Sequence, residues 1–433
     1  MFNQILLYAA EFLALAAAVA LVVGVRVKPA LACTAAAVGC LSFALLTYLQ
    51  EPPGKDVRIF WDTGRTLWQG GDPYADKCIN PPTAFPLYLG LAALPFPVVL
   101  AGWTVLSVGL GLTLVVLAQR VLQAQEREAK WRLSGVALAV LTSAAVLSFA
   151  VRYGVELGQI ALLNTAFIFA ALHAQGRGRP GWAGFWLALA TIKISLMLPF
   201  LVLFHRKEDR KTWLTLGVCT LVLCLACTSG MDLPQRLRDC LHNIGELGGP
   251  GRINDYSYLN QNNIENFGFD HALFRLGVRD RQTVQAAQLA LLALLGCWIG
   301  WNVVRNHWSP AAACAVVAFY AAVFLYHRVY DMSILFLPLV YAAGRARTER
   351  GAPRWLFALS ALSVLAVLYL RVGVLRSLTG VVPGAEGVAY RLLEALVLPY
   401  GTWLVVFGMG CLAAAERLLR EPAGVGVALA RVA

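Results

Sequence analysis

Charged residues are scarce in this sequence: Asp, Glu, Lys and Arg together make up 14% of its 433 residues. Soluble domains are closer to a quarter charged, so the composition excludes an ordinary soluble protein. Hydrophobic residues account for 59% of the chain, and apolar runs long enough to cross a bilayer recur along it. We therefore predict an all-α polytopic membrane protein, folded as a single integral membrane domain over residues 1–433.

Several motifs of soluble enzymes are also missing. The sequence has no HExxH motif and no pair of aspartates separated by one residue, so no metal site is predicted. No phosphate-cradling glycine loop for a nucleotide is predicted either. We expect neither a metal ion nor another cofactor.

The N-terminus lacks the basic start of a signal peptide, and a second apolar run follows it at once. We therefore expect a retained helix. The net charge of +12 comes largely from arginines in short loops, which is typical of membrane topology and gives no reason to expect a nucleic-acid partner. Cys78 and Cys240 fall in polar loops predicted to lie on the same side, where a disulfide and two free thiols are both possible.

About eleven spanning helices are predicted from the apolar runs. The predicted spans are 5–25, 30–49, 99–119, 134–151, 158–174, 212–230, 286–304, 310–326, 332–344, 355–374 and 392–415. The positive-inside rule makes the short arginine-rich loops cytoplasmic and leaves 50–82 and the long loop 231–285 outside. We expect the inner membrane of a bacterium, with the functional face on its exterior side.

Two apolar segments do not fit simple crossings. Residues 181–204 have basic loops at both ends, and both loops are cytoplasmic only if the segment enters and returns, so we predict a re-entrant pair of half-helices that turns near Lys193. Residues 83–98 are short and hold three prolines, which predicts a half-inserted or interfacial helix. Residues 50–98 together form an exterior juxtamembrane helix and its return.

Asp56 stands out in the first exterior segment. In a helix that starts there, Asp56 shares one face with Phe60 and Leu67. Asp62 lies elsewhere, four residues after Arg58, and this spacing predicts a solvated ion pair. Asp56 has no such partner in the sequence, although a carboxylate at a helix start can also serve as a cap.

Other polar residues recur at the same predicted rim: Gln159, Lys193, His327 and Arg328. Each alone can be an interfacial anchor, but ionisable groups at membrane depth usually face a cavity or one another. Several cations beside one isolated carboxylate predict a site for an anionic headgroup with a base nearby.

The longest exterior loop is rich in amides and tyrosines. Amide side chains pair with neighbouring hydroxyls, and aromatic faces suit the C–H faces of sugars, although the same residues also form turns. The candidates for sugar or acceptor binding in this loop are Tyr258, Asn260, Gln261 and Asn262.

Four stretches of the sequence resemble glycosyltransferase family 87, polytopic enzymes of the GT-C superfamily. They are "DVRIFWDTGRTLWQGGDPY" with "PPTAFPL", then "LGQIALLN", then "AGFWLALATIKISLMLPFLVLFHRK", and last "LNQNN…FRL" with "YHRVYDMSILFLPL". The likeness covers about residues 50–345 in the family's order. The apparent extra N-terminal span is a departure from the usual GT-C arrangement.

This resemblance implies a GT-C-type fold and an inverting hexosyltransferase that uses a polyprenyl-phosphate sugar, with mannose as the family expectation. The acceptor would be a lipid or a glycan, and membrane lipids surround the chain. By the same resemblance Asp56 would be the catalytic base. Lys193, Arg328 and His327 would meet the donor phosphate, and Gln159 and Asn164 would join the loop residues in positioning sugars.

Two other classes of function are compatible with parts of the sequence. A transporter or flippase of a lipid-linked sugar would also show intramembrane charges and broken helices, but no internal repeat is evident here. A non-catalytic membrane scaffold would be insensitive to replacement of Asp56 by Asn.

Overall fold

The computed structural model describes residues 2–25, 30, 34, 37–39, 54–75, 78–126, 131–228, 233–252, 254–260, 266–325, 327–380 and 388–420. The described chain is mainly helical. Its α-helices are α1 Phe2–Val22, α2 Lys55–Trp68, α3 Phe85–Ala92, α4 Phe96–Gln125, α5 Gly135–Leu147, α6 Phe149–Leu157, α7 Ala161–Gly176, α8 Pro180–Ala190, α9 Ile194–Met197, α10 Arg210–Ala226, α11 Leu233–Leu247, α12 Phe269–Arg275, α13 Arg281–Val304, α14 Pro310–Val323, α15 Phe336–Thr348, α16 Gly351–Tyr369, α17 Val372–Thr379, α18 Val388–Val397 and α19 Tyr400–Arg420.

Several of these helices are apolar enough for a membrane. Five segments of the described chain are long and hydrophobic enough to cross one, and a sixth is added if the bent pair α5 and α6 counts as one span. Shorter apolar helices stand at Leu6–Val22, Ala161–Gly176 and Pro310–Val323. Several apolar helices thus fit a membrane protein, whereas the predicted number of eleven spans is not confirmed. The predicted span 30–49 lies largely outside the described residues.

Two predicted spans are interrupted in the structure. The chain predicted to run straight over 134–151 bends by 50° between α5 and α6. At the bend Ser148 has an extended backbone, and its hydroxyl accepts a hydrogen bond from Val151 N at 3.4 Å, so a new helix begins there. The predicted span 392–415 is likewise divided between α18 and α19, on either side of Pro399.

The first and last residues of the segment Pro180–Leu203 lie at the same end of the helix bundle, near the end of α7 and the start of α10. The amide of Gln175, in the last turn of α7, donates to Leu203 O at 2.9 Å, and Thr212 Oγ1 donates to Pro180 O at 3.1 Å. Lys193 lies between α8 and α9 in a 3₁₀ turn, Thr191–Lys193. Its carbonyl accepts from Asn164 Nδ2 at 3.3 Å near the start of α7, about 16 Å from Gln175 at 1.5 Å per residue. Lys193 therefore lies at the opposite end of the bundle from both ends of this segment.

Helix α2 is amphipathic and rests on α3. Its buried positions include Val57, Phe60 and Leu67, and the Phe60 ring stacks on Tyr88 of α3 at 5.1 Å between ring centroids. The helices approach closely at Gly64, where an added Cβ would overlap the Tyr88 carbonyl. This packing fixes the orientation of α2 about its own axis.

Two sets of contacts to backbone atoms join polar segments that lie between the apolar helices: a short strand pair and a loop that packs on α11. Strand β1, Asn266–Phe267, pairs antiparallel with β2, His327–Arg328. The segment after α2 docks on α11, because Asn243 donates to Tyr74 O at 2.8 Å and to Cys78 O at 3.0 Å. Cys78 and Cys240 are both buried there, and both are free thiols in the structure.

Candidate functional site

Asp56 lies in the first turn of α2, half-buried and facing the bundle. The helix begins after Gly54, whose backbone is left-handed with φ 68°, and no side chain caps it. Asp56 Oδ2 instead accepts a hydrogen bond from Gln159 Nε2, 103 positions further along the chain. Burial raises the pKa of Asp56, and the hydrogen bond from Gln159 and the charges of Lys55, Arg328 and Lys193 partly offset that rise. Asp56 is thus a half-buried carboxylate with a raised pKa that bonds Gln159 and does not cap its helix.

The turn after α6 packs closely against the start of α2 because it contains a glycine. Gly158 is left-handed, with φ 72°, and an added Cβ would come within 2.8 Å of the Val57 side chain. Glu156 O accepts from Gly54 N at 3.1 Å. Glycine is required at this position because the chain is left-handed there and α2 lies directly against it. Gln159 is the next residue after Gly158, and this packing places its amide within hydrogen-bond distance of Asp56.

Lys193 and His327 contact a second carboxylate, Asp331, through their side chains, and Arg328 contacts it through its backbone amide. Lys193 Nζ forms an ion pair with Asp331 Oδ1, while His327 Nδ1 and Arg328 N contact Asp331 Oδ2 at 3.1 and 3.3 Å. Burial alone would raise the pKa of Asp331, but Lys193 and His327 hold it below its usual range. The Lys193 ammonium also lies 5.0 Å from the centroid of the Tyr330 ring. A buried carboxylate thus holds Lys193 at a fixed position.

The predicted site residues fall into two groups. Asp56, Gln159, Lys193 and Arg328 come together: Gln159 hydrogen-bonds Asp56, and both cations act on its pKa. His327 and Asn164 do not contact Asp56 themselves but contact Asp331 and the Lys193 carbonyl, respectively. His327 is fully buried against Asp331, and Asn164 is fully buried and donates to the Lys193 carbonyl.

The loop residues make contacts of another kind. Tyr258 OH contacts Glu394 Oε2 and Arg279 Nη2, each at 3.1 Å, and the Arg275 guanidinium lies 4.4 Å from its ring centroid. Asn260 donates to Asp255 O at 3.1 Å and closes a local turn. These contacts hold the loop in place and do not bring either residue to Asp56. Gln261 and Asn262 lie outside the described residues.

One residue essential to this arrangement was not among the predicted site residues. Asp331 joins Lys193, 138 positions away, to His327. Its position in "YHRVYD" among other charges was visible, but the sequence gives no sign of which cation it pairs with. The predicted pair of Arg58 with Asp62 does form, at 3.3 Å and well exposed. Asp62 is therefore outside the site.

These features define a helical membrane protein with a half-buried carboxylate that is influenced by the charges of Lys55, Arg328 and Lys193. The model of glycosyltransferase family 87 matches residues 79–327, more than half of the 433-residue chain. The chain therefore belongs to glycosyltransferase family 87 and is an enzyme that transfers sugar. No curated protein matched it. Gln159 and Lys193 lie inside the matched range, and Asp56 precedes it.

Proposed function

We propose that this enzyme is an inverting glycosyltransferase that moves a hexose, mannose by analogy with the family, from a polyprenyl-phosphate donor to a lipid or glycan acceptor. The observation that carries the proposal is the half-buried Asp56, which accepts a hydrogen bond from Gln159 and is near enough to Lys193 and Arg328 for their charges to offset part of the rise in pKa that burial causes. A base next to fixed cations suits a reaction that removes a proton from one substrate and releases a phosphate from the other.

The steps follow from this placement. The acceptor hydroxyl attacks the anomeric carbon, and its proton passes to a carboxylate oxygen of Asp56. As the new C–O bond forms, the bond from the anomeric carbon to the phosphate oxygen breaks, and the electron pair leaves with the polyprenyl phosphate. Lys193 and Arg328 stabilise that developing charge. The mechanism assigns no step to a metal or another cofactor.

The proposed location is the exterior face of a bacterial inner membrane, in a GT-C-type fold. Support comes from the distribution of charge. The basic residues Arg177, Arg206 and Arg210 border the end of the bundle where Gln175 meets Leu203, opposite Lys193. The positive-inside rule makes that basic end cytoplasmic, which leaves Asp56 outside. A lipid phosphate at headgroup depth would then lie at the level of the site.

The test is an assay of the purified protein in detergent with radiolabelled polyprenyl-phosphate mannose, or its glucose counterpart, and a membrane lipid extract. We expect the label to appear in an acceptor through a new glycosidic bond. The same protein in liposomes provides the contrast. Movement of the labelled donor across the bilayer without a new bond would support a flippase and overturn the proposal.

The raised pKa of Asp56 predicts the pH dependence of transfer. The ionised carboxylate is the active form of a base, so kcat/KM is high above its pKa and falls as the pH drops through it. Because burial raises this pKa from 3.8, the fall should occur at a higher pH than for an exposed aspartate. Gln159→Leu removes a hydrogen bond that lowers the pKa, so the fall should move to still higher pH.

The measurement is a pH–rate profile of kcat/KM for both proteins. Gln235→Leu is a matched control, since Gln235 is exposed on α11 and bonds only Asp239 among the contacts described for it. Its profile should coincide with that of the wild type. A profile of Gln159→Leu that stays in place or moves to lower pH would contradict Asp56 as the titrating base.

A further inference from the structure

The ribbon of β1 and β2 carries a residue with no role so far. In this antiparallel pair Asn266 stands opposite Arg328, and Phe267 stands opposite His327. Residues directly opposite in such a pair project from the same face, and successive residues project from opposite faces. Phe267 packs its ring against Gly401 of α19, so its face is turned toward the core. Asn266 therefore shares the other face with Arg328, one of the cations whose charge acts on Asp56.

The side chain of Asn266 is buried but has no hydrogen-bond partner. It is 6% exposed, and neither its Nδ2 nor its Oδ1 finds a partner among the residues that the structure describes. Its backbone carbonyl, in contrast, is contacted by His271 Nδ1 at 3.3 Å. A buried polar group left without a partner costs about 1–3 kcal/mol, so such groups call for an explanation in terms of a ligand or function.

Which ligand would satisfy this amide follows from its two atoms. Nδ2 needs an acceptor and Oδ1 needs a donor. A phosphodiester anion, the form of phosphate in a polyprenyl-phosphate sugar, offers acceptors only and would leave Oδ1 unsatisfied. Sugar hydroxyls both donate and accept, so one hydroxyl or two neighbouring hydroxyls would satisfy both atoms at once.

We propose that Asn266 binds the hydroxyls of the sugar being transferred, next to the phosphate that Arg328 meets. This assignment rests on the proposed function and adds to it a residue that recognises the sugar. It gives the donor two adjacent contacts on one ribbon, a cation for the phosphate and an amide for the hexose. Asn266 is thus a determinant of which sugar is accepted.

The test uses Asn266→Leu, which is similar in size but cannot hydrogen-bond, and Asn266→Ala in case leucine does not fit. Transfer is measured with polyprenyl-phosphate mannose and polyprenyl-phosphate glucose, and thermal unfolding of each protein is followed in detergent. We expect kcat/KM for the better donor to fall about tenfold or more for each hydrogen bond lost, and the preference between the two sugars to narrow. The unfolding temperature should stay the same or rise in at least one variant, because no hydrogen bond within the protein is lost.

Asn243→Leu provides the matched control. Its amide makes two hydrogen bonds within the protein, to Tyr74 O and Cys78 O, so this variant should unfold at a lower temperature while keeping the sugar preference. Kinetics of both Asn266 variants within twofold of the wild type, or a fall in both unfolding temperatures like that of Asn243→Leu, would overturn the assignment alone. Absence of transfer by the wild type with either donor would overturn the proposed function and the assignment with it.

Discussion

Asp56→Asn should reduce sugar transfer by about 10²–10⁴-fold, the range that a positioned base contributes. Asparagine has nearly the same shape, and its carbonyl oxygen can still accept the hydrogen bond that Gln159 donates to Asp56. The start of α2 should therefore stay in place while the proton acceptor is lost. Initial rates at saturating donor and acceptor measure the effect, and thermal unfolding checks that the protein remains folded.

The matched control for this variant lies on the same helix. Asp62 is exposed and paired with Arg58 at 3.3 Å, an interaction worth about 0.2–1 kcal/mol. Asp62→Asn should leave the transfer rate within twofold of the wild type. If Asp56→Asn retained more than about a tenth of the activity, or if the two variants behaved alike, Asp56 would not be the base.

Lys193→Met should also cause a large loss, about 10²–10³-fold in kcat, because it removes the fixed cation that we propose meets the departing phosphate. It should lower stability as well. The variant leaves the buried Asp331 carboxylate without its ion partner, and breaking a buried pair on one side costs about 3–5 kcal/mol.

A double variant separates these two effects. Lys193→Met combined with Asp331→Asn replaces both charges, so most of the lost stability should return. Activity should remain low, since the cation proposed to meet the phosphate is still missing. Recovery of transfer together with stability would mean that Lys193 only neutralises Asp331, and the assignment to the phosphate would be wrong. Thermal unfolding and single-turnover transfer are measured on all three proteins.

Local periodicity in the sequence predicted which face of α2 each aspartate occupies. The 3.6-residue repeat of α2 separated Asp56, on the buried face, from Asp62, which pairs with Arg58 four residues away. The pairing of Lys193 with Asp331 joins segments 138 residues apart. No periodicity within a segment specifies such a partner, so this pair was missed.

The errors in helix boundaries have local causes. Ser148 caps α6 and lets the chain bend by 50° within a hydrophobic run that holds no charged residue, so hydropathy alone predicted a straight span. In the long loop, the amide of Asn260 and the hydroxyl of Tyr258 are used to hold the loop itself, which is the alternative that turn-forming residues always leave open. Asn266 is a residue type common in loops, and its buried, unpartnered state is visible only in three dimensions.

The pairing of β1 with β2 has a consequence for protein engineering. Asn266 and Phe267 lie within the long loop 231–285, whereas His327 and Arg328 lie some sixty residues later, directly before the 3₁₀ turn that carries Asp331. A chimaera that takes loop 231–285 from another family member would bring in β1 without the strand β2 that pairs with it. Grafts should therefore exchange β1 and β2 together. Exchange of the loop alone should weaken the pairing of these strands even when the new loop folds.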